Sequence, residues 1–247
     1  MIESLQSPHV GRVKALLSSK KDRYENGEFI AEGLQPVREA LDYGVVKTLY
    51  LTDQGKKRLI ENKVDFSTAD VIEISDPVAK AMSDAITPQG IIAICTIPSS
   101  DKAVLKSGHI VYLYEIQDPG NAGTILRSAD AMGIAAIVTS PNSVDLFSPK
   151  VVRATAGSIL HIPIFQGIEL NDLSSQVKYL LSGDGEISLP DIDFKTPAIW
   201  IFGNEARGFD QGEIDAKRVS IPMSGNAESL NLSAAAAIVM HEISRGR

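Results

Sequence analysis

Three turns of small and polar residues, each placed directly after an apolar stretch, most constrain what this chain can fold into. DPGNAG (118–123) follows HIVYLYEI (109–116), GNEARG (203–208) follows PAIWIF (197–202), and a polar loop over 222–231 follows VSI (219–221). Short apolar runs bounded by turn residues are typical of strands buried in a parallel sheet. Ligands bind at the carboxyl ends of such strands. If the strands are parallel, the three turns lie together on a ligand-binding edge.

The third turn leads into a C-terminal helix. Residues 234–237 are four alanines, Ile238, Met240 and Ile243 form an apolar face, and Gly246 stands where a C-cap glycine belongs. The first N–H groups of a helix have no partner within it, so a polar loop leading into a helix can hold a ligand. The alternative is an ordinary loop followed by a packing helix.

Alternating strand and helix patterns predict an α/β protein of two domains. The first domain is predicted over 1–97, opening with a helix over 4–20 and closing with the apolar strand GIIAICTI (90–97). The polar stretch PSSDKAVLKSG is typical of a linker, which we place at 98–107. The second domain follows over 108–247, with mostly helix predicted over 170–180 and helix over 211–217.

Composition excludes several classes of site. A lone cysteine, Cys95, forms no internal disulfide, and four scattered histidines show no metal-ligand spacing, so no metal site is expected. GxGxxG, a P-loop and a G-x-S-x-G elbow are all absent. The N-terminus lacks the apolar core of a signal peptide, and no apolar run is long enough for a membrane span. We therefore expect a cytoplasmic protein.

One basic segment interrupts an acidic chain. The net charge of the whole chain is −7, whereas residues 10–23 carry five cations against Asp22 alone, a net of +4. Such a segment can contact RNA phosphates; the alternative is a solvated helix surface. The candidate RNA-binding residues are Arg12, Lys14, Lys20, Lys21 and Arg23.

Taken together, the three turns resemble a known family. In order and spacing, NAGTILRSADAMGI (121–134), IFGNEARGF (201–209) and IPMSGNAESLNLSAAAAI (221–238) resemble the three motifs of the SpoU (TrmH-type) RNA 2′-O-ribose methyltransferases of the SPOUT superfamily. FSPKVVRATAGSILHIPI (147–164) is similar to the segment between the first two motifs. The resemblance implies a C-terminal α/β trefoil-knot methyltransferase domain and a smaller N-terminal α/β substrate-binding domain. Without it, an open doubly wound sheet would be expected, because knots are nearly absent from proteins.

The resemblance also implies a cofactor, partners and residue roles. It implies S-adenosylmethionine as the cofactor, a homodimer without membrane or metal, and RNA as the substrate. Ribosomal RNA is preferred because of the accessory domain, with transfer RNA second. The implied cofactor-binding residues are Phe202, Gly203, Ile221, Met223 and Leu230. The implied catalytic residues are Arg127, Asn121, Glu205, Ser229 and Asn231.

The residues alone leave the role of Arg127 and the class of protein open. Arg127 can make a structural salt bridge or present its planar guanidinium to a phosphate. The family resemblance implies that Arg127 activates the ribose hydroxyl, either as the base or by stabilising negative charge. A guanidinium is a poor base because it holds its proton very tightly. The alternatives to an RNA methyltransferase are a non-catalytic RNA-binding protein on the same scaffold and a small-molecule methyltransferase.

Overall fold

A computed structural model of the chain describes residues 1–173, 176–203 and 214–246. The chain divides into two compact units. The first unit comprises residues 1–98 and 145–160, and the second comprises residues 99–144 and 161–247. Within the described ranges, no helix is both long and apolar enough to cross a membrane.

The first unit is a four-stranded sheet with helices packed on it. Its elements are α1 (Pro8–Ser18), α2 (Lys20–Asn26), β1 (Glu28–Glu32), α3 (Leu34–Asp42), β2 (Val46–Leu51), α4 (Asp53–Glu61), β3 (Val71–Glu73), α5 (Asp76–Ala81), β4 (Ile91–Thr96) and α7 (Pro149–Thr155). The strand order is β1-β4-β2-β3, with β4 antiparallel to β1 and β2, and β2 parallel to β3. Its core joins the apolar face of α1, including Val10, Val13 and Leu16, to Ile30 and Ile92 of the sheet.

The predicted helix over 4–20 is wrong at both ends. Helix α1 starts at Pro8, after the N-cap Ser7, and stops at Ser18. Ser19 is extended, with φ −116° and ψ 116°, and its side chain accepts a hydrogen bond from Asp22 N, so that it caps a second helix, α2. Helix α2 ends at Asn26 and is followed by the C-cap residue Gly27, whose φ of 62° suits glycine.

The segment 145–160 packs within the first unit, although it lies far along the chain. Helix α7 packs on β1, and the rings of Phe147 and Phe29 lie 5.2 Å apart. Gly157 has a φ of +103°, and a Cβ there would lie 2.2 Å from Cγ of Glu39. The contiguous second domain expected over 108–247 therefore differs from the compact units, because these long-range contacts carry 145–160 into the first unit.

The second unit is built on a seven-stranded parallel sheet. Its elements are β5 (Ile110–Leu113), α6 (Pro119–Ala131), β6 (Ala136–Thr139), β7 (Ile164–Phe165), β8 (Val177–Leu181), β9 (Ile187–Ser188), β10 (Ala198–Phe202), β11 (Lys217–Ser220) and α8 (Leu232–Arg245). The strand order is β7-β6-β5-β10-β8-β11-β9, and every pairing is parallel. The central strands β5 and β10 are buried throughout, as their unbroken apolar sequences predict.

Strand β8 corrects the helix predicted over 170–180. Residues 170–172 form a short 3₁₀ turn, and residues 177–181 form a strand between β10 and β11. The sequence VKYLL contains Val177 and Tyr179, which favour strands, and pairing on both sides outweighs any local helical tendency. Of the helix predicted over 211–217, residues 211–213 lie outside the described residues, and Lys217 begins β11.

Candidate active site

The first and third turns singled out by the sequence, and the first residue of the second turn, lie at one edge of the parallel sheet in the second unit. Strands β5, β10 and β11 run in the same direction, so their carboxyl ends meet at this edge. Helix α6 begins there at Pro119, directly after β5, and the loop over 221–231 leaves from the end of β11. Gly203 follows β10 and is half-buried; Glu205 and the rest of that turn lie outside the described residues.

The first turn of α6 is held by Asp118. Its carboxylate Oδ1 accepts a hydrogen bond from the backbone N–H of Asn121 at 2.6 Å, and Pro119 occupies the first helical position. This cap sets the position of Asn121, which is half-buried at the edge of the sheet. The acid-proline pair before a helix is a recognisable start signal, so Asp118 could have been found from the sequence.

Asn231 connects the third turn to the first. Its side-chain Oδ1 accepts hydrogen bonds from Ser233 N at 2.9 Å and Ala234 N at 3.3 Å, and thereby caps α8. Since the oxygen faces these donors, the amide nitrogen points the other way and donates to Oδ1 of Asn121 at 3.1 Å. Helices α6 and α8 also pack against each other. Two motifs 110 residues apart in sequence are therefore joined by a hydrogen bond between these two side chains.

The loop over 221–231 presents a mixed polar and apolar surface. Residues 222–231 are all exposed and form no regular secondary structure, as the polar sequence predicts. Ser229 is among them, and Met223 and Leu230 are 40% and 39% exposed. Apolar side chains left exposed beside polar groups at a sheet edge suit a ligand with an apolar ring and polar substituents.

The remaining sequence-predicted site residues fall into two environments. Arg127 is exposed on α6, whose buried face includes Ile125 and Leu126. The side chain of Phe202, by contrast, is fully buried in the core, and its carbonyl accepts a hydrogen bond from Tyr114 N at 2.9 Å. A direct side-chain contact of Phe202 with a ligand is therefore not supported, because the apolar strand β10 turns this ring into the core. In the described part of the chain, no cluster of His, Cys, Asp and Glu is arranged to hold a metal.

Hydrogen bonds join the loop after β5 to the loop after β6 at this edge, through residues that the sequence did not single out. Glu115 has a φ of +49°, and its N–H donates to Oγ of Ser140 at 2.7 Å. Gln117 Nε2 donates to the carbonyls of Asn142 at 2.7 Å and Glu115 at 3.1 Å. A glutamate with a positive φ is strained, and it keeps this backbone conformation only where surrounding contacts hold it. No local sequence signal marks Glu115, because the hydrogen bond that holds its backbone comes from Ser140, just after β6.

In the first unit, Arg12 of the predicted RNA-binding set is engaged by a buried carboxylate. Its Nη2 lies 2.6 and 2.7 Å from the two oxygens of Glu28, and Lys47 Nζ lies 2.9 Å from the same group. Burial raises the pKa of Glu28, but the hydrogen bonds and charges of Arg12 and Lys47 outweigh it, and the net pKa lies below the ordinary value. Arg12 therefore has a structural role that its sequence context did not reveal.

Arg23 is contradicted as a solvent-facing RNA contact. Only 4% of the residue is exposed. Its Nε and Nη2 both lie 2.7 Å from Oδ2 of Asp145, and its Nη1 donates to Leu16 O at 2.6 Å, near the end of α1. The guanidinium is committed to a buried ion pair and to helix carbonyls. The local sequence could not show this, because Asp145 lies 122 residues away.

Three lysines of the basic segment remain on the surface. Lys14 is exposed on α1, and Lys20 and Lys21 are exposed on α2. Lys21 Nζ lies 3.6 Å from Glu25, a weak exposed pair, and Lys20 Nζ lies 5.9 Å from the ring centroid of Tyr24. The positive surface expected from residues 10–23 is thus narrower than the sequence indicates.

Comparisons with known proteins match this arrangement over both units. Residues 108–241 match the SpoU rRNA Methylase family, and residues 8–93 match the MRM3-like substrate binding domain. A protein of Bacillus subtilis, described as 23S rRNA (guanosine(2553)-2′-O)-methyltransferase RlmP, is 30% identical to this chain. The match covers 98% of each chain.

Solved structures agree with the sequence comparisons. An rRNA methyltransferase from Sinorhizobium meliloti with bound AdoMet has a TM-score of 0.82 and 31% identity, over 99% of this chain and 97% of its own. The SpoU methyltransferase AviRb from Streptomyces viridochromogenes, in complex with the cofactor AdoMet, has a TM-score of 0.82 and 25% identity, over 97% and 98%. The family match spans more than half of the chain and includes all three edge motifs. The chain therefore belongs to the SpoU rRNA methylase family.

Proposed function

We propose that this chain transfers a methyl group from S-adenosylmethionine to a ribose 2′-hydroxyl of ribosomal RNA. The observation that carries the proposal is the Asn121–Asn231 hydrogen bond of 3.1 Å, which joins the first and third family motifs at the carboxyl edge of a parallel sheet. Family membership and relatives of similar length that are named as rRNA methyltransferases support the same reaction.

The residues at the edge fit this cofactor. Met223 and Leu230 are exposed apolar side chains that suit the faces of an adenine ring. The backbones of Gly203 and Ile221 follow β10 and β11, where polar main-chain groups suit the ribose and the amino-acid part. For Phe202, the proposal is limited to its backbone. When bound, the cofactor supplies an electrophilic methyl group on its sulfonium.

Arg127 is the proposed electrostatic group of the reaction. A guanidinium stays charged at all working pH values, so it holds its proton rather than accepting one from the hydroxyl. It can instead bind the phosphate next to the reacting ribose and stabilise negative charge that develops on the 2′-oxygen. Its exposure on α6 leaves it accessible to RNA.

The other catalytic candidates order the site. Asn121 and Asn231 hold the first and third turns in register. Ser229 places a hydroxyl on the loop over 221–231, which also carries Asn231 and Leu230. Glu205 lies in the second turn, outside the described residues, and we assign it an ordering role from the family resemblance alone. Alignment of this kind contributes to rate by fixing the attacking oxygen relative to the methyl group.

We further propose a homodimer with a trefoil knot, acting in the cytoplasm. The dimer is supported by the outward stripe of α8, where Ala234, Ile238 and His241 are exposed and Ile238 is an apolar group at 38% exposure. The knot rests on the family resemblance. The cytoplasmic location is supported by the similarity to a bacterial rRNA methyltransferase over nearly the whole chain. Lys14, Lys20 and Lys21 are the proposed RNA contacts of the first unit.

Methyl transfer tests the proposal directly. Purified protein is incubated with labelled S-adenosylmethionine and with ribosomal or transfer RNA, and 2′-O-methyl groups are mapped. We expect labelled ribosomal RNA from the wild type. We expect a loss of about 10²- to 10³-fold in kcat for Arg127→Ala, as for removal of a preorganised charge donor. Arg127→Lys keeps the charge but not the planar fork and should recover only part of the rate.

Several results would contradict parts of the proposal. Near-normal methyl transfer by Arg127→Ala would remove Arg127 from the catalytic set. Absence of calorimetric binding of S-adenosylmethionine would favour a non-catalytic RNA-binding protein, and binding without methylation of any RNA would favour a small-molecule methyltransferase. Methylation of transfer RNA alone would replace ribosomal RNA as the substrate while leaving the reaction unchanged.

A further inference from the structure

We propose that Tyr24 and the lysines beside it form a binding site for unpaired RNA nucleotides, in which the tyrosine ring stacks on a base. The inference deepens the proposed function and rests on it, because it names the kind of RNA that the first unit recognises. It adds one contact residue, Tyr24, and one positioning residue, Asp145.

The ring of Tyr24 is held in place from a distant part of the chain. Its hydroxyl donates to Oδ1 of Asp145 at 2.8 Å, while the other oxygen of the same carboxylate binds Arg23 at 2.7 Å. The N–H of Phe147 donates to Oδ1 at 3.0 Å and fixes the carboxylate. An exposed tyrosine would otherwise sample several rotamers. This anchoring lowers the conformational entropy that the ring loses when it binds a ligand.

The anchored ring remains partly open to solvent and carries positive charge beside it. Tyr24 is 41% exposed, and Lys20 Nζ lies 5.9 Å from its ring centroid. Lys21 is exposed on the same short helix, and Lys14 is exposed on α1. Aromatic rings combined with nearby cations are the usual means of binding single-stranded nucleic acid, because the ring takes a base and the cations take phosphates.

The geometry favours unpaired nucleotides over a duplex. Stacking on a side chain needs an exposed base face, and within an RNA helix both faces of each base are covered by its neighbours. Three lysines alone would attract either form of RNA through its phosphates. The tyrosine therefore supplies the discrimination, and the lysines supply affinity that depends on salt.

Tyrosine variants of the full-length protein test the inference by their affinity for three synthetic RNAs. These are a short oligouridine, an abasic strand with the same number of phosphates, and a blunt duplex. Tyr24→Leu removes the aromatic ring, while Tyr24→Phe removes only the hydroxyl and its bond to Asp145. Tyr43→Leu is the matched control, because Tyr43 is 51% exposed at the end of a different helix.

We expect Tyr24→Leu to weaken oligouridine binding by about 5- to 150-fold, the range for loss of one base–aromatic stack. Its affinity for the abasic strand and the duplex should stay at the wild-type value. Tyr43→Leu should retain the affinity for all three RNAs. Tyr24→Phe should bind oligouridine with an affinity between those of the wild type and Tyr24→Leu, because it keeps the ring but loses the bond to Asp145. Wild-type urea midpoints show that each variant is folded.

The outcomes separate this inference from the proposed function. The stacking of Tyr24 on a base is contradicted if Tyr24→Leu and Tyr24→Phe bind oligouridine equally well. It is also contradicted if Tyr24→Leu weakens binding of the abasic strand as much as binding of oligouridine. If neutralising Lys20 and Lys21 together changes affinity for none of the RNAs, the basic segment does not bind RNA and the inference falls with it. The methyltransferase proposal is judged on methyl transfer, which is a separate measurement.

Discussion

The hydrogen bond between Asn121 and Asn231 makes a prediction in which helix capping and catalytic alignment can be separated. Asn231 does two things at once, since its oxygen caps α8 and its nitrogen reaches Oδ1 of Asn121 at 3.1 Å. Asn231→Ala removes both functions. Asn231→Ser keeps an equally good N-cap oxygen, but its side chain is too short to reach Asn121 while capping.

The two substitutions should differ in stability and agree in activity. Loss of an N-cap costs about 1 kcal/mol of unfolding free energy, and loss of one exposed neutral hydrogen bond costs about 0.5 kcal/mol. Asn231→Ala should therefore lose about 1.5 kcal/mol and Asn231→Ser about 0.5 kcal/mol. If the bond aligns the first and third turns, both variants should lose about 10- to 100-fold in methyl transfer.

Urea denaturation and single-turnover methyl transfer to ribosomal RNA check this pair of expectations. Thr52→Ala is the control, because Thr52 caps α4 in the first unit by accepting from Gly55 N at 3.1 Å. It should lose about 1 kcal/mol and keep wild-type methyl transfer per folded molecule. Methyl transfer by Asn231→Ser within about twofold of wild type would refute the alignment role and leave Asn231 as a helix cap.

Three further predictions concern stability and assembly. Because Arg12 and Lys47 hold the pKa of folded Glu28 below its ordinary value, its contribution to the free energy of unfolding is present above the ordinary carboxyl pKa and is lost as the pH falls through the lowered pKa. Glu28→Gln should flatten this acid dependence in a pH series of urea midpoints. Asp145→Ala should cost about 3–5 kcal/mol, and pairing it with Arg23→Met should recover much of that loss; additive losses would contradict a buried pair. Ala236→Leu should lower the free energy of unfolding by about 1–3 kcal/mol by overpacking the core. Ile238→Asp should shift sedimentation towards the monomer without unfolding the protein, and a retained dimer would show that the outward stripe of α8 is not the dimer interface.

The local sequence was sufficient to predict most elements of the sheet in the second unit. Unbroken apolar runs at 109–116 and 197–202 predicted the buried strands β5 and β10, and the polar stretch before four alanines predicted the loop and helix α8. Strand β8 was predicted as helix. Its assignment depends on hydrogen bonds to β10 and β11, which a local pattern does not contain.

The candidate site also has features that the sequence predicted and features that it did not. Asn121 and Asn231 could be named from their motifs, because turn residues at the carboxyl ends of apolar strands mark a ligand edge whatever the rest of the chain does. Their direct contact could not be predicted, since it joins residues 110 positions apart. Phe202 was named as a cofactor-binding residue because it belongs to a motif, but its position in that motif did not reveal that its side chain faces the core.

The basic segment gives the clearest division between what sequence and structure decide. Its sequence alone determined that residues 10–23 carry excess positive charge, and the helical spacing of its apolar residues predicted that part of this charge lies on a helix. Only the tertiary structure decided which charges reach solvent, because Glu28 engages Arg12 while Asp145 buries Arg23 and anchors Tyr24. The physical reason is that a buried cation requires a paired anion, and the fold brings Asp145, which lies 122 residues along the chain from Arg23, into the first unit.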